Sequence, residues 1–355
     1  MWHEKSDVYL FDEPSAFLDI QERLRVCEFI EHIAKKSKVI VVEHDLLMLD
    51  YMTDFINIFY GVQACYGIVS GIKPSRRAIN DYLAGQLPEE NVRFRDKEIS
   101  FKFIHSRDAR KEVIASWDKF TKTFENFKME ADAGSIPLKG IVGIAGKNGT
   151  GKTTFVKCIA GIEKTDFGTI DLKMKVSYKP QYIQGDERLV GEVVKEERIP
   201  KAIVSAFSME GVMTKKTKNL SGGELQKLAI ALCLSKEADL YLLDEPSAFL
   251  DVEERLQSAK TIRSIIDEKE KAAFIVEHDL LFLSYVADSL VVFSGEPAKH
   301  GFARSPIEFT HGLNELMKEL NITIRKDKDS GRPRINKKDS VLDREQKEKG
   351  KYVEL

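Results

Sequence analysis

The stretch Ile141-Val-Gly-Ile-Ala-Gly-Lys-Asn-Gly-Thr-Gly-Lys-Thr-Thr154 decides the fold of this chain. An apolar run at residues 141–145 leads into a glycine-rich turn that fits the pattern GxxxxGK[ST], and residues 155–160 continue at helical spacing. Glycines let successive backbone N–H groups face a phosphate, and the positive end of the following helix points at the same anion. The stretch therefore predicts a strand, a phosphate-binding loop and a helix that together hold a nucleotide.

Two polar residues at the end of this loop have specific expected roles. Lys152 is expected to bridge the β- and γ-phosphates, and Thr153 to offer its hydroxyl to Mg²⁺. The residues that we expect to bind the nucleotide here are Gly146, Asn148, Gly149, Gly151, Lys152, Thr153 and Thr154.

Composition narrows the class of protein. A chain of 355 residues predicts two or three domains, and the 55 basic and 57 acidic residues leave a net charge of -2. The whole chain is therefore not attracted to nucleic acid or membrane. Its 4 cysteines are scattered without a CxxC pair, which predicts neither a disulfide framework nor a zinc site. Apolar stretches fall far short of the roughly 20 residues that a bilayer span needs. We expect a cytoplasmic protein with no membrane partner.

Two blocks of sequence occur twice. Residues 11–19, FDEPSAFLD, return as LDEPSAFLD at 243–251, and VEHDLL at 42–47 returns at 276–281. Short apolar runs precede these blocks, and long segments with helical spacing lie between them, at 20–36 and 252–268. Strand, helix and strand in alternation predict a parallel α/β sheet in each copy.

The second copy carries further motifs in a fixed order. Leu220-Ser-Gly-Gly-Glu224 predicts a helix start that receives an anion, and its position resembles the signature sequence of ABC-type ATPases. Asp244 then matches the Walker B carboxylate, residues 247–251 the D-loop, Gln181 the Q-loop and His278 the switch histidine.

Charge and the resemblance suggest a role for each of these residues. Asp244 is expected to hold Mg²⁺ together with Thr153 and Gln181, and Glu245 to polarise the attacking water. His278 is expected to hydrogen-bond the γ-phosphate, and Gln181 to report it to the helical region. The structural alternatives are that the two carboxylates cap a helix and that His278 is a core histidine.

The remaining nucleotide contacts rest on the resemblance. In ABC proteins the signature, here Ser221, Gly222 and Gly223, contacts ATP held on another module. An aromatic residue upstream of the loop stacks on adenine, which suggests Trp117, although Phe120, Phe124 and Phe127 compete and core packing is an equal alternative.

The resemblance implies a fold class and a domain order. We expect a P-loop NTPase of the ABC type, with a RecA-like parallel sheet core plus a helical subdomain, and a partial first copy in which Asp12, Glu13 and His44 are the equivalents of the second copy's residues. The expected domains are a C-terminal remnant of the first copy at 1–72, a basic hinge at 73–111, the complete second copy at 112–295 and a C-terminal basic hinge at 296–355.

Two segments outside the repeat are basic. Residues 73–111 hold ten Lys or Arg against six Asp or Glu, and residues 325–338 hold seven against two. Each segment follows the end of a module, and the second is dense in turn-forming residues, so we expect no sheet strand in either segment. Gly331-Arg-Pro-Arg-Ile-Asn-Lys337 and Asn91-Val-Arg-Phe-Arg95 resemble the two hinges of the ABC-E ribosome-recycling ATPases, also called the RNase L inhibitor family.

This second resemblance implies a function in translation. Members of the family use ATP-driven closure of two modules to split ribosomes and then stay on the small subunit. It implies partners in the rRNA and protein of the small subunit and in a release factor or its Pelota relative. Both basic segments are expected to attract an RNA-rich partner by phosphate neutralisation.

The chain also departs from the family pattern. The family's iron–sulfur domain, first P-loop and first signature have no counterpart in it, so we expect an N-terminally truncated member that carries ATP and Mg²⁺ but no iron–sulfur clusters. Efficient hydrolysis then needs a separate first half or a homodimer partner. Two other hypotheses stay open: a non-hydrolytic, ATP-dependent RNA- or ribosome-binding module, and the ATPase subunit of a membrane transporter.

Overall fold

The protein divides into two compact units in a computed structural model that describes residues 6–16, 18–62, 66–96, 98–99, 112–170 and 174–354. The first unit combines Met1–Phe103 with Leu320–Leu355, and the second is Ile104–Glu319. The domain boundaries expected from the sequence stay predictions.

The first unit begins with a strand, a helix and a parallel strand, as predicted. Asp19 caps the helix by accepting a hydrogen bond from the N–H of Glu22, whose side chain caps in return. The elements of this region are β1 (Val8–Asp12), α1 (Ile20–Ala34), β2 (Lys38–Val42), α2 (Leu46–Met52), β3 (Phe55–Ile56), β4 (Phe59–Val62), β5 (Tyr66–Val69), β6 (Lys73–Pro74), α3 (Ser75–Ala84), β7 (Gln86–Leu87) and β8 (Val92–Arg93).

One face of the β1–β2 sheet is open. The two strands form a two-stranded sheet, and alternate residues point away from the core, so that Leu10 is 74% and Ile40 58% exposed. Burying apolar side chains of this size would be favourable.

The second unit contains the phosphate-loop stretch and both blocks of the second repeat. Its elements are β9 (Val113–Trp117), β10 (Phe120–Phe124), β11 (Phe127–Ala131), β12 (Gly134–Pro137), β13 (Gly140–Gly146), α4 (Lys152–Ile159), β14 (Val176–Lys179), α5 (Val190–Glu196), α6 (Lys201–Ala206), α7 (Gly222–Ser235), β15 (Leu240–Asp244), α8 (Val252–Lys269), β16 (Ala272–Val276), α9 (Leu280–Val286), β17 (Ser289–Glu296), β18 (His300–Ala303), β19 (Ile307–Glu308) and α10 (Phe309–Leu320).

A nine-stranded sheet forms the centre of the second unit. Its order is β10-β11-β18-β17-β13-β16-β15-β14, with β19 beside β17, and the five strands from β17 to β14 run parallel. Every residue of β15 and β16 is buried, as expected for strands covered on both faces. The predicted parallel α/β sheet is confirmed. Helices α5 and α6 lie between β14 and α7 in sequence.

The end of the chain returns to the first unit as a small sheet with a helix. Strand β20 (Ile324–Lys326) pairs antiparallel with β21 (Pro333–Ile335) and parallel with β22 (Val353–Glu354), and α11 (Val341–Glu348) lies between the last two in sequence. The prediction that the basic segments contain no strand was therefore wrong, because β6, β7 and β8 also lie in one of them. The turn formers build the loop of the β20–β21 hairpin, in which Asp327 Oδ1 accepts from the N–H groups of Asp329 and Ser330.

The arginines of this tail pair with acids of the first unit. Arg332 and Arg334 contact the carboxylate of Asp50 in α2, at 3.1 Å and 2.6 Å, and Arg334 also reaches Asp327 at 3.2 Å. Arg332 is 1% exposed. Part of the basic character that the sequence assigns to this segment is therefore neutralised inside the unit.

Helices that could cross a bilayer are absent from the part of the chain that the structure describes, since none combines the required length with enough apolar character.

Candidate nucleotide-binding site

The glycine-rich loop joins the end of β13 to the start of α4. Gly151 has a φ of +94°, and a Cβ there would approach Phe127 Cζ to 2.9 Å, so glycine is required at this position. The ammonium group of Lys152 donates to the carbonyl oxygens of Gly146 at 2.9 Å and Lys147 at 2.7 Å. The positive charge of Lys152 thus lies within the loop, at the start of the helix.

Thr153 and Asp244 meet at the carboxyl end of the sheet. The Thr153 hydroxyl donates to Asp244 Oδ2 at 2.9 Å, although the two residues are 91 positions apart. Asp244 is fully buried, and burial raises the pKa of its carboxyl, which the Thr153 hydrogen bond opposes. Its other oxygen, Oδ1, has no hydrogen-bond partner among the described residues. A buried carboxylate oxygen beside a hydroxyl is a donor set that fits Mg²⁺.

Glu245 and His278 lie at the same end of the sheet. His278 Nε2 is 3.6 Å from Glu245 Oε1, and both side chains are largely buried. Glu245 has a φ of +47°, and its N–H donates to the carbonyl of Val276 at 2.9 Å. A left-handed conformation at a residue other than glycine costs on the order of 1–3 kcal/mol and persists only where its surroundings hold it.

Two side chains that the sequence analysis did not single out hold this conformation. Lys179 Nζ donates to the carbonyl oxygens of Asp244 at 2.7 Å and Glu245 at 3.2 Å, and Gln226 Nε2 donates to that of Glu245 at 2.6 Å. Burial lowers the pKa of Lys179 to about 8, an effect that the carboxylate of Asp244 opposes. In the sequence, the one feature that could have pointed to Lys179 is a charged residue at the end of an apolar strand pattern, two residues before Gln181.

Gln181 lies just beyond the carboxyl end of β14. Lys179, the last residue of β14, is opposite Leu243 of β15, so Gln181 lies beyond one strand and Asp244 ends its neighbour at the same edge of the sheet. The side chain of Gln181 is partly buried. Its role as a metal ligand stays a prediction.

The signature sequence begins α7 as expected. Ser221 caps the helix: its hydroxyl accepts from the N–H of Glu224 at 3.2 Å, and its own N–H donates to Glu224 Oε2 at 2.9 Å. Ser221 and Gly222 are exposed and Gly223 is partly buried, so this helix start is accessible to a second polypeptide.

Trp117 lies in the core of the second unit. Its side chain is 2% exposed, it packs edge-on against Phe155 and Phe274, and its Nε1 donates to the carbonyl of Asp132. The structure therefore favours the core-packing alternative over adenine stacking for Trp117. Among the competing aromatic residues, Phe127 is the one beside Gly151.

The first copy reproduces part of this arrangement. His44 Nε2 is 3.1 Å from Glu13 Oε1, and Glu13 has a φ of +44° with its N–H donating to Val42 at 2.9 Å. Asp12 precedes Glu13 at the end of β1. Both members of the pair are about half exposed, whereas those of the second copy are largely buried.

Loop, carboxylates, histidine and signature together define an ATP-binding module of the ABC class, and residues 131–248 match the family model described as ABC transporter. This confirms the predicted fold class. The Saccharomyces cerevisiae protein called translation initiation factor RLI1 is 40% identical over 99% of this chain, which spans 60% of that protein.

Several solved structures match over nearly the whole chain, among them the following two. One is the complex of an archaeal ribosome recycling factor, aABCE1, with the archaeal ribosomal stalk protein aP1, at 43% identity and a TM-score of 0.92 over 99% of this chain and 70% of that one. The other is a model of ribosome-bound archaeal Pelota and ABCE1, at 44% identity and a TM-score of 0.94 over 99% of this chain and 61% of that one. The chain belongs to the ABC-E family, also called the RNase L inhibitor family, as the sequence motifs predicted.

Proposed function

We propose that the second unit binds and hydrolyses MgATP, and that the chain acts in ribosome recycling through ATP-driven closure of two ABC modules. The hydrogen bond between Thr153 and Asp244, beside the phosphate loop, is the observation that carries this proposal. It joins the two residues whose chemistry a triphosphate with its cation requires.

The phosphates are expected to lie over the start of α4. Lys152 would exchange the two carbonyl oxygens that it now contacts for the β- and γ-phosphates, which are stronger acceptors because they are charged. Thr153, Asp244 and Gln181 would hold Mg²⁺, which, when bound, neutralises charge on the phosphate oxygens.

Glu245 and His278 are the residues that we expect to catalyse hydrolysis. Glu245 would accept a hydrogen bond from the attacking water, and His278 would donate one to the γ-phosphate. The 3.6 Å separation of their side chains supports this proposal, because both groups could then act on one water and one phosphate. The hydrogen bonds from Lys179 and Gln226 hold Glu245 in position for this role.

Complete turnover needs a second module. The signature residues Ser221–Gly223 open α7 at the surface, and in the family such residues close on ATP held by another module. We propose that this facing module comes from the part of the relatives that this chain does not span, or from a second copy of the chain.

The ribosome is the proposed partner. The matched structures carry a ribosomal stalk protein in one case and ribosome-bound Pelota in the other, which supports a ribosomal partner and a Pelota-like factor. From the family resemblance we further propose a cytoplasmic role with small-subunit rRNA and protein, and with a release factor as the alternative to the Pelota-like factor. Because Arg332 and Arg334 pair within the first unit, we expect exposed lysines of the tail, such as Lys328 and Lys338, at rRNA phosphates.

A titration of the purified chain with MgATP tests the nucleotide site. Lys152→Ala should abolish binding, whereas Lys164→Ala, an exposed lysine beyond α4, should leave the affinity unchanged. Unchanged affinity of the Lys152 variant would refute the assignment.

A second experiment tests recycling. ATP turnover and co-sedimentation with small ribosomal subunits are measured with and without the N-terminal part of a full-length relative. Turnover and sedimentation that depend on the added part support the proposal. A rise in turnover with the square of chain concentration indicates self-pairing, and tight ATP binding without turnover under either condition favours the non-hydrolytic module.

A further inference from the structure

Glu277 is a buried carboxylate that receives backbone N–H groups from two separate segments. Its Oε1 accepts from His278 at 2.7 Å and Asp279 at 3.1 Å, and its Oε2 accepts from Ser247 at 3.1 Å. The side chain is 3% exposed. Burial and the negative charge of the Asp279 carboxylate raise the pKa of Glu277, and the hydrogen bonds from the Asp279 N–H and from Ser247 oppose that rise.

The first copy contains the same arrangement. Glu43 accepts from the N–H groups of His44 at 2.9 Å and Asp45 at 3.1 Å through one oxygen, and from the N–H and hydroxyl of Ser15 at 3.3 Å and 2.6 Å through the other. The glutamate of each copy thus makes the same hydrogen bonds, although the sequences around the two repeated blocks differ.

An arginine adds a second connection between the same two segments. Arg255 Nε donates to the carbonyl of Leu250 at 2.7 Å, and its Nη1 donates to Asp279 Oδ2 at 3.2 Å. In the first copy Arg23 likewise donates to the carbonyl of Leu18 at 2.7 Å and to the carboxylate of Asp45.

Local turn formation does not account for this pattern. A glutamate that only shaped its own turn would need the N–H groups of His278 and Asp279, which follow it directly. The contact to Ser247 spans 30 positions and reaches the segment that follows Glu245. The Glu277 side chain therefore joins residues 277–279 to Ser247, and the Arg255 side chain joins them to Leu250, so both ends of the segment 247–250 are connected.

We propose that Glu277 is a positioning residue that couples His278 to residues 247–250, so that nucleotide contact at His278 also orders that segment. The inference rests on the proposed function, because it requires nucleotide at the second unit. The hydrogen bonds of Glu277 described above do not involve the expected phosphate and Mg²⁺ ligands Lys152, Thr153 and Asp244. A variant of Glu277 can therefore lose the coupling of His278 to residues 247–250 and still bind nucleotide.

Glu277→Gln breaks the coupling with little change in volume. The amide oxygen can still accept from His278 and Asp279, but the amide NH₂ then faces the N–H of Ser247, and two donors cannot bond. We expect the Kd for MgATP to stay within about twofold, and kcat in a hydrolysis-competent complex to fall at least about tenfold at unchanged KM.

Hydrogen exchange followed by mass spectrometry on the full chain, with and without MgATP, gives the deciding readout. In the wild type, MgATP should slow exchange in peptides covering 247–250 and 278–279. In Glu277→Gln it should slow exchange only at 278–279. Equal slowing of both segments in the variant overturns the coupling, and a wild-type chain that does not bind MgATP overturns the proposed function and this inference together.

Arg255→Lys is a second test of the coupling, and Arg263→Lys is its matched control. Arg255→Lys keeps a charge near Asp279 but loses the donor to Leu250, and should weaken the slowing at 247–250 even if Glu277→Gln fails to fold. Arg263→Lys, on the same helix α8 but paired with Asp267 and Asp288, should leave the exchange pattern unchanged. Equal responses of the two arginine variants would contradict the proposal.

Discussion

Asp327→Asn should destabilise the first unit by about 2 kcal/mol. Asp327 is buried and lies 3.2 Å from Arg334 and 3.4 Å from Arg76. Burial alone would raise its pKa, but the N–H groups of Ser330 and Asp329, the Ser330 hydroxyl and the charge of Arg332 together lower the pKa to about 2, against an ordinary value of 3.8. A difference of nearly two pKa units corresponds to about 2 kcal/mol of stabilisation by the ionised form. Asparagine keeps an oxygen for the turn and loses the charge.

The sign of the pH dependence follows from the lowered pKa. The stabilisation is complete above about pH 4 and is lost as the pH falls toward 2, because protonation then removes the same charge that the substitution removes. Wild type and variant should therefore converge at low pH.

Urea unfolding measures the difference in unfolding free energy between the wild type and Asp327→Asn. Monitoring the unfolding by hydrogen exchange in peptides from residues 320–354 restricts the measurement to this region. Asp329→Asn is the matched control: its side chain is 63% exposed and pairs with the exposed Arg76, so its effect should stay within about 0.5 kcal/mol. If Asp327→Asn is as stable as the wild type at pH 7, or if the difference persists at pH 2, the electrostatic reasoning is refuted.

Substitutions at three further positions probe the second unit. Glu245→Gln should retain MgATP binding but stop turnover in a hydrolysis-competent complex, with ATP recovered intact; unimpaired turnover would count against Glu245 as the water-polarising group. Thr153→Val should weaken the Mg²⁺ dependence of nucleotide binding, and Thr153→Ser should restore it, since serine keeps the hydroxyl that Asp244 accepts; two variants with equal magnesium titrations would argue against this. Trp117→Ala should lower stability by about 3–5 kcal/mol without altering the preference for ATP over ITP, measured by thermal unfolding and by competition; a selective loss of adenine preference would support stacking instead.

Much of the second unit could be predicted from local patterns. The apolar runs that became β13, β15 and β16 are covered on both faces, so their hydrophobicity is nearly continuous and easy to read. The loop and the signature were equally visible, because phosphate binding needs glycine and a helix start at fixed spacing.

Other features were not visible, because they depend on contacts between distant positions. Lys179 reads as part of a strand, and only folding brings its ammonium group to the carbonyl oxygens of Asp244 and Glu245. From its sequence, the basic tail is expected to be an exposed charged segment. Its arginines instead meet Asp50, more than 280 positions earlier, and the hairpin that carries them was missed.

The amino-acid sequence by itself determined the kind of chemistry and the family, since residue types at short spacings define a phosphate loop, a capped anion-binding helix and a repeated carboxylate block. The tertiary structure decided which side chains act together. It buried Trp117 in the core, placed Thr153 against Asp244, and joined Glu277 to Ser247 across 30 positions. The physical reason is that hydrogen bonds and ion pairs act over a few ångströms in space, a distance that separation along the chain does not report.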